Sequence, residues 1–200
     1  HRLAPYKDSP ALLGTRSWEW FPKTDQRQLS RAMPAPYTFR HALVQNFAGG
    51  YTMMLNQAGL QVAQRALPQI DKTPAVHDWW LYQVISGAGG QVVFSDTPHL
   101  LYRQHDDNQI GANHGLRSKL TRLYAMLRGT YQQWNGQNIG ALAPAKPLLT
   151  EEAREILERF AKDRSGPLPA RLRLLRETKL HRKGRVNQAS LWLAALLGKL

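Results

Sequence analysis

His77-Asp78-Trp79-Trp80 is the string in this 200-residue chain whose side chains most plainly suit chemistry. A carboxylate beside an aromatic wall can handle a sugar, because the carboxylate accepts a hydroxyl proton and the ring packs on the apolar face of the sugar. Neighbouring helix residues point about 100° apart, so one indole can face a core while the other faces a cleft. At a helix start the positive end of the helix favours the ionised form of Asp78, at some cost in basicity. The plainer reading of Asp78 is a helix cap, and of the two tryptophans a core pair.

The second string is Tyr102-Arg103-Gln104-His105-Asp106-Asp107-Asn108, followed by Gly111. It brings a cation, an imidazole, two carboxylates and an amide just past a predicted strand, where α/β sheets place ligands. One reading is a loop that meets a diphosphate or its metal through Arg103 and His105. The other is a solvated polar turn. Phosphate-loop, dinucleotide, HExxH zinc and GxSxG signatures are missing, and the seven histidines have no paired metal spacing.

The elements that must position these strings follow from periodicity. Residues 1–40 are broken by Pro5, Pro10, Pro22, Pro34 and Pro36 and read as loop with short elements, anchored by Trp18, Trp20 and Phe21. Residues 47–55 read as a strand entered through Gly49-Gly50. Asn56 offers a cap to a helix whose face is Ala58, Leu60, Val62, Ala63, Ala66 and Leu67, stopped by Pro68. A helix over 77–86 ends at Gly87 to Gly90, and strands follow at 91–95 and 99–103. That order implies a mixed α/β sheet.

After Gly115 the apolar spacing turns helical. One helix is expected to stop at Asn135-Gly136. Another is capped by Thr150 with Glu151 and Glu152 behind it, striped by Ile156, Leu157 and Phe160, and closed by Gly166-Pro167. Residues 169–183 read as a basic helix, and 190–200 as an apolar one.

Composition sets the bounds. Apolar residues at 42% are enough for a core, and the absence of cysteine excludes disulfides, thiolate metal sites and Cys nucleophiles. The longest strongly apolar run, Leu191 to Leu197, is far shorter than the roughly 20 residues that span a bilayer. There is no signal peptide at the start, and the opening His1 suggests a processed or incomplete protein. The net charge is +13, of which +3 falls in residues 1–100 and +10 in 101–200. It peaks at Arg171, Arg173, Arg176, Lys179, Arg182, Lys183 and Arg185, with only Glu177 among them. Such a field attracts nucleic acid, anionic lipid or a diphosphate.

Taken in order, Asn46-Phe-Ala-Gly-Gly-Tyr-Thr-Met-Met-Leu-Asn56, His77-Asp-Trp-Trp-Leu81, Val92-Val-Phe-Ser-Asp-Thr-Pro98 and Leu101-Tyr-Arg-Gln-His105, with Asn108 and Gly111, resemble the C-terminal half of a bacterial, rhamnosyltransferase-like family 2 glycosyltransferase. The likeness covers roughly residues 40–113. It implies an α/β chain that is the C-terminal part of a GT-A fold with a mixed sheet, followed by a helical basic tail. The division expected is 1–115 for the acceptor-side half and 116–200 for the tail.

The resemblance also implies inverting transfer of a sugar such as rhamnose. The donor is a nucleotide-diphosphate sugar, and the acceptor a saccharide or lipid-linked saccharide of cell-surface polysaccharide synthesis. Asp78 is then the base, Trp79, Trp80, Gly50, Arg103 and Gln104 touch substrate, and His105 lies near a divalent metal, Mg or Mn, and the diphosphate. The nucleotide-binding half with its Asp-x-Asp motif is not in the sequence, and Asp106-Asp107 cannot replace it. The chain is therefore expected to be truncated and inactive alone.

A cationic helix joined to a greasy one over 169–200 suits an anionic membrane surface. The expected location is the cytoplasm, or the inner face of the cell membrane as a peripheral protein. The rival reading is a basic nucleic-acid-binding or membrane-associated module without catalysis. It accounts for the charge but not for the two strings.

Overall fold

The computed structural model describes residues 2–67, 73–104, 124 and 128–200. The fold is α/β, with two small mixed sheets and a helical layer. β1 (Ala11–Thr15) lies between β4 (Met54–Leu55), antiparallel, and β5 (Gln91–Ser95), parallel. β2 (Trp18–Phe21) lies between β3 (Gln26–Leu29), antiparallel, and β6 (Leu101–Arg103), parallel. The two parallel pairs run on from one another: Arg16 N donates to Ser95 O at 3.1 Å and Trp18 N to Leu100 O at 2.9 Å. Strand residues alternate between sheet faces, and the register sets Glu19 beside Tyr102 and Trp20 beside Arg103.

Asn56 ties the front of the chain to the first long helix. Its Oδ1 accepts from Gly59 N at 2.8 Å, as a helix cap should, and from Ala11 N at 2.9 Å. Its Nδ2 donates to the carbonyls of Tyr6 and Ser9. α2 (Gln57–Ala66) then presses Gly59, Ala63 and Ala66 inward, while Leu60 and Leu67 face outward. The small residues win because the helix lies on the β1 backbone: a Cβ on Gly59 would stand 2.8 Å from Ala11 O.

α3 (His77–Gly87) is buried along most of its length and is the axis of the molecule. Beside it stand α1 (Phe39–Ala42) and α4 (Thr130–Leu142). α5 (Glu151–Asp163), α6 (Leu168–Thr178) and α7 (Arg185–Leu196) complete the helical layer. One apolar core joins Phe39, Leu43, Trp80 and Val84 to Leu142, Leu157, Phe160, Leu174 and Leu191. A smaller one, around Leu12, Phe47, Tyr82 and Ile85, lies under β1. Full burial of each such large side chain contributes roughly 1.5–3 kcal/mol. The boundary expected at 115 falls outside the described residues, and the core is continuous across the described residues on either side of it.

Several expectations need correction. The short elements of the front stretch are three strands, of which β3 (Gln-Arg-Gln-Leu) has no apolar alternation to announce it. Trp18 is exposed, opposite exposed Leu101, and does not anchor a core. The strand expected over 47–55 is a 3-10 turn at Gly50–Thr52 followed by the two-residue β4. Asn135-Gly136 lies inside α4: Asn135 is buried, and Gly136 makes room for Arg164, whose Nη2 would stand 3.0 Å from a Cβ there. The basic helix ends at Thr178, where Lys179 turns to φ 53°, short of the 183 expected. Pro68 lies outside the described residues.

The Thr150 cap holds as read, its hydroxyl accepting from Ala153 N at 3.2 Å. The α3, β5 and α5 segments also lie where the periodicity puts them.

Candidate functional site

Asp78 occupies the first turn of α3 without capping it: Val76 is the cap residue and offers no side-chain bond. The carboxylate reaches across to the segment before β4. Oδ2 accepts from Gly50 N at 2.8 Å and Oδ1 from Asn46 Nδ2 at 3.0 Å. Asn46 is fixed in turn, its Nδ2 donating to Ala48 O and its Oδ1 accepting from Phe47 N. A carboxylate has about four acceptor positions, so two remain for another donor. Asp78 is 8% exposed, buried yet still reached by solvent.

The glycine pair is explained by close approach rather than by backbone angle. A Cβ on Gly50 would stand 2.5 Å from His77 Nε2, and one on Gly49 would stand 2.7 Å from Tyr51 Cε1. Both rings therefore lie against bare backbone. Tyr51 is 46% exposed and stacks on Tyr102 of β6, with ring centroids 3.9 Å apart and planes within 3°. Burial is the largest cause raising the Tyr51 hydroxyl above its ordinary pKa; Glu19, Tyr102 and Asp78 add to it, while a bond with Ser17 opposes it. The hydroxyl stays protonated and faces acidic neighbours. Glu19 is 7% exposed and lies opposite Tyr102 in the strand register.

The tryptophans do not form the wall that was expected. Trp79 and Trp80 are both buried. Trp79 Nε1 donates to Ala42 O at 2.6 Å and Trp80 Nε1 to Ala141 O at 3.3 Å. Trp79 also meets Trp134 edge-on, with centroids 6.4 Å apart. Adjacent helix positions can both be covered here because helices pack on two sides of α3: α1 accepts from Trp79, and α4 accepts from Trp80 and meets Trp79 through Trp134. The pair fixes the direction of α3, and hence of Asp78, while the exposed aromatic surface comes from Tyr51, backed by half-buried Tyr102.

Of the expected site residues, the base Asp78 and the substrate-side Gly50 are in direct contact. Arg103 and Gln104 follow Tyr102 in the chain. Arg103 lies with its guanidinium 6.0 Å from the Trp20 ring, and strand alternation puts these two on the face of the sheet away from Glu19 and Tyr102. Gln104 N donates to Trp20 O at 2.7 Å. His105, Asp106, Asp107, Asn108 and Gly111 lie outside the described residues. Among the described residues no three His, Asp or Glu side chains gather to hold a metal ion, and His105, the residue expected near the metal, is not one of those residues.

Three residues at this place were not singled out from sequence. Asn46 and Tyr51 stand inside the string that carries the resemblance, next to the glycine pair, and that adjacency was a usable signal. Glu19 had none, since it is one polar residue in a proline-broken stretch.

A second polar group lies deeper, between α1 and α3. His41 is fully buried, with Nδ1 2.8 Å from Tyr82 Oη, and its ring stacks on His181 at 5.6 Å. Burial above all, with Lys183, His181 and Arg182 nearby and a bond with Gln45 opposing, pushes its pKa down to about 3. It is a neutral structural imidazole.

Among the described residues no helix is long and apolar enough to cross a membrane. No family model matches the chain, and no solved structure does. Over 68 residues it is 34% identical to the dTDP-rhamnosyl transferase RfbG of Shigella flexneri, a match that covers 34% of this chain and 24% of that protein. The chain thus spans about a quarter of the length of the relative it matches. An α/β chain with small mixed sheets is compatible with part of a glycosyltransferase fold, and the relationship is glycosyltransferase-like.

Proposed function

We propose that the protein transfers a sugar from a nucleotide-diphosphate donor to a hydroxyl acceptor with inversion, and that Asp78 is the base. The sheets and α3 are read as the acceptor side of a GT-A fold. A sugar such as rhamnose on a nucleotide diphosphate fits the name of the matched relative; the acceptor proposed is a saccharide or lipid-linked saccharide of cell-surface polysaccharide. The observation that carries the reading is the two-point grip on Asp78 by Gly50 N and Asn46 Nδ2. It fixes a buried carboxylate beside exposed aromatic surface and leaves it lone pairs for a hydroxyl.

In the step proposed, the acceptor oxygen bonds to the anomeric carbon as the bond from that carbon to the diphosphate oxygen breaks. The bonding pair leaves with the nucleoside diphosphate, and the acceptor proton passes to Asp78. Positioned proton transfer of this kind contributes about 10²–10⁴-fold in rate. No step is routed through a metal.

Asp78→Asn, made in the protein encoded by the intact gene, keeps the shape and removes the basic oxygen. Transfer from a panel of nucleotide sugars is expected to fall by about 10²–10⁴-fold, with donor binding by calorimetry unchanged. Transfer that survives the change at full rate would remove Asp78 from the role of base.

A further inference from the structure

We infer that Tyr51, Tyr102 and Glu19 form the seat of a neutral pyranoside ring, the acceptor sugar whose hydroxyl is presented to Asp78. This rests on the sugar-transfer reading and names the place where one substrate lies. Tyr51 and Tyr102 stand in the sequence strings, but the aromatic wall was expected at Trp79 and Trp80, which are spent inside the helical layer.

The geometry has three parts. The first is an aromatic surface held in one orientation. Tyr51 is stacked on Tyr102 at 3.9 Å and 3°, and its ring edge rests on Gly49, yet the residue stays 46% exposed. A stacked ring presents its outward surface without losing rotamer freedom on binding, and the C–H face of a pyranose packs on such a surface. The second part is distance along the chain. Tyr51 follows Gly50, whose amide binds Asp78 at 2.8 Å, so ring and carboxylate are set by one short turn. The third is Glu19, opposite Tyr102 in the register and therefore on the same face of the sheet. A carboxylate has about four acceptor positions, so Glu19 can take a sugar hydroxyl beyond the contact it makes within the fold.

Charge selects the ligand class. Burial above all raises the Tyr51 hydroxyl, and the charges of Glu19 and Asp78 add to it. Arg103 lies with Trp20 away from that face. A nucleotide or sugar phosphate brought here would meet like charge, whereas an uncharged sugar offers hydroxyl donors to both acids. The seat therefore suits an acceptor glycoside and not the diphosphate of a donor.

Saturation-transfer NMR on the full 200-residue chain tests this, with methyl α-L-rhamnopyranoside, methyl α-D-glucopyranoside and methyl α-D-mannopyranoside as probes and thymidine diphosphate as the charged control. At least one glycoside is expected to receive saturation at its ring C–H protons. Tyr51→Ala is expected to weaken it by about tenfold and Tyr51→Phe by no more than about threefold. Glu19→Gln should weaken binding several-fold, since it replaces a carboxylate acceptor with a neutral amide.

Thymidine diphosphate should not compete with the glycoside. Tyr102→Ala serves as a second way to unseat the ring, and circular dichroism confirms that each variant folds. The inference is overturned if no glycoside binds the unaltered chain, if folded Tyr51→Ala and Tyr102→Ala both bind like the unaltered chain, or if thymidine diphosphate displaces the glycoside. Failure of the two proposals can be told apart. Glycoside binding through Tyr51 without sugar transfer by the intact-gene protein retires the transferase reading alone. Transfer with an acceptor KM unmoved by Tyr51→Ala retires the seat alone.

Discussion

The helical layer and the strand side of this molecule share one use of charge, since Arg16 Nε donates to Ser30 O at 2.7 Å beside the strands, and differ in another. In the helices, arginines reach backbone carbonyls. Arg171 Nε donates to Ala195 O and Nη1 to Gly166 O, both at 2.7 Å. Arg164 Nη1 holds Gln132 O at 3.0 Å and Leu200 O at 2.9 Å, and Arg182 Nε holds Val44 O at 2.8 Å. These guanidiniums close helix ends and loops. On the strand side two carboxylates, Asp78 and Glu19, are buried beside an exposed tyrosine stack. A chain of net charge +13 thus has an acidic candidate site. Net charge describes solubility and long-range attraction, while the sign of a site depends on which few groups the fold brings together.

The contrast is sharpest in stability. Phe160 is 1% exposed and lies in the core shared by α3, α5, α6 and α7. Phe160→Ala is expected to cost about 3–5 kcal/mol through lost burial and a residual cavity. Chemical denaturation reads it. Tyr51→Ala, on the strand side, is expected to stay within about 0.5 kcal/mol because its ring is half exposed. Equal losses at the two positions would mean that the tyrosine stack is core and not surface.

Acid exposes a second difference. The folded pKa of His41 is lowered from 6.5 to about 3, chiefly by burial, so between those values the unfolded chain binds a proton that the folded one refuses. The contribution is whole above the unfolded pKa and is lost as pH falls toward the folded one, at up to about 1.4 kcal/mol per pH unit. Urea unfolding between about pH 6 and pH 4 should show a shallower loss for His41→Gln than for the unaltered chain. Parallel curves would show that the imidazole is protonated where it stands, beside Lys183, His181 and Arg182.

How much of this could be read beforehand differs by region for a physical reason. Long helices announce themselves through repeated apolar spacing and end signals: Thr150 with Glu151 and Glu152, or Asn56 before α2, are legible because cap chemistry is local. β2 (Trp-Glu-Trp-Phe) and β3 (Gln-Arg-Gln-Leu) are four residues each, too short for periodicity to decide, so their pairing is set by neighbours elsewhere in the chain. The site divides in the same way. Asp78 and Gly50 stand in strings with evident chemistry, and the fold joins them at 2.8 Å. The burial of both tryptophans could not be read, since helix periodicity says which way a side chain points and not how many neighbours cover it. Glu19 became visible only through the register with Tyr102.

The smallest effects separate arginines that stitch from arginines that only carry charge. Arg171 uses three nitrogens on three carbonyls, the third being Leu196 O at 3.3 Å. Lysine keeps the charge but cannot reproduce a planar fork, so Arg171→Lys should cost about 1–2 kcal/mol by lost charge-assisted bonds. Arg173 lies on the same helix, is exposed, and should tolerate lysine within about 0.5 kcal/mol. Both changes leave the net charge alone, so any difference in thermal midpoint belongs to hydrogen-bond geometry. If Arg171→Lys proves as harmless as Arg173→Lys, the α6–α7 contact is held by apolar packing, with Leu174, Leu175 and Leu191 at its centre. The guanidinium bonds would then add nothing to the packing they accompany, and the basic character of the helical layer would have to be explained from its outer surface.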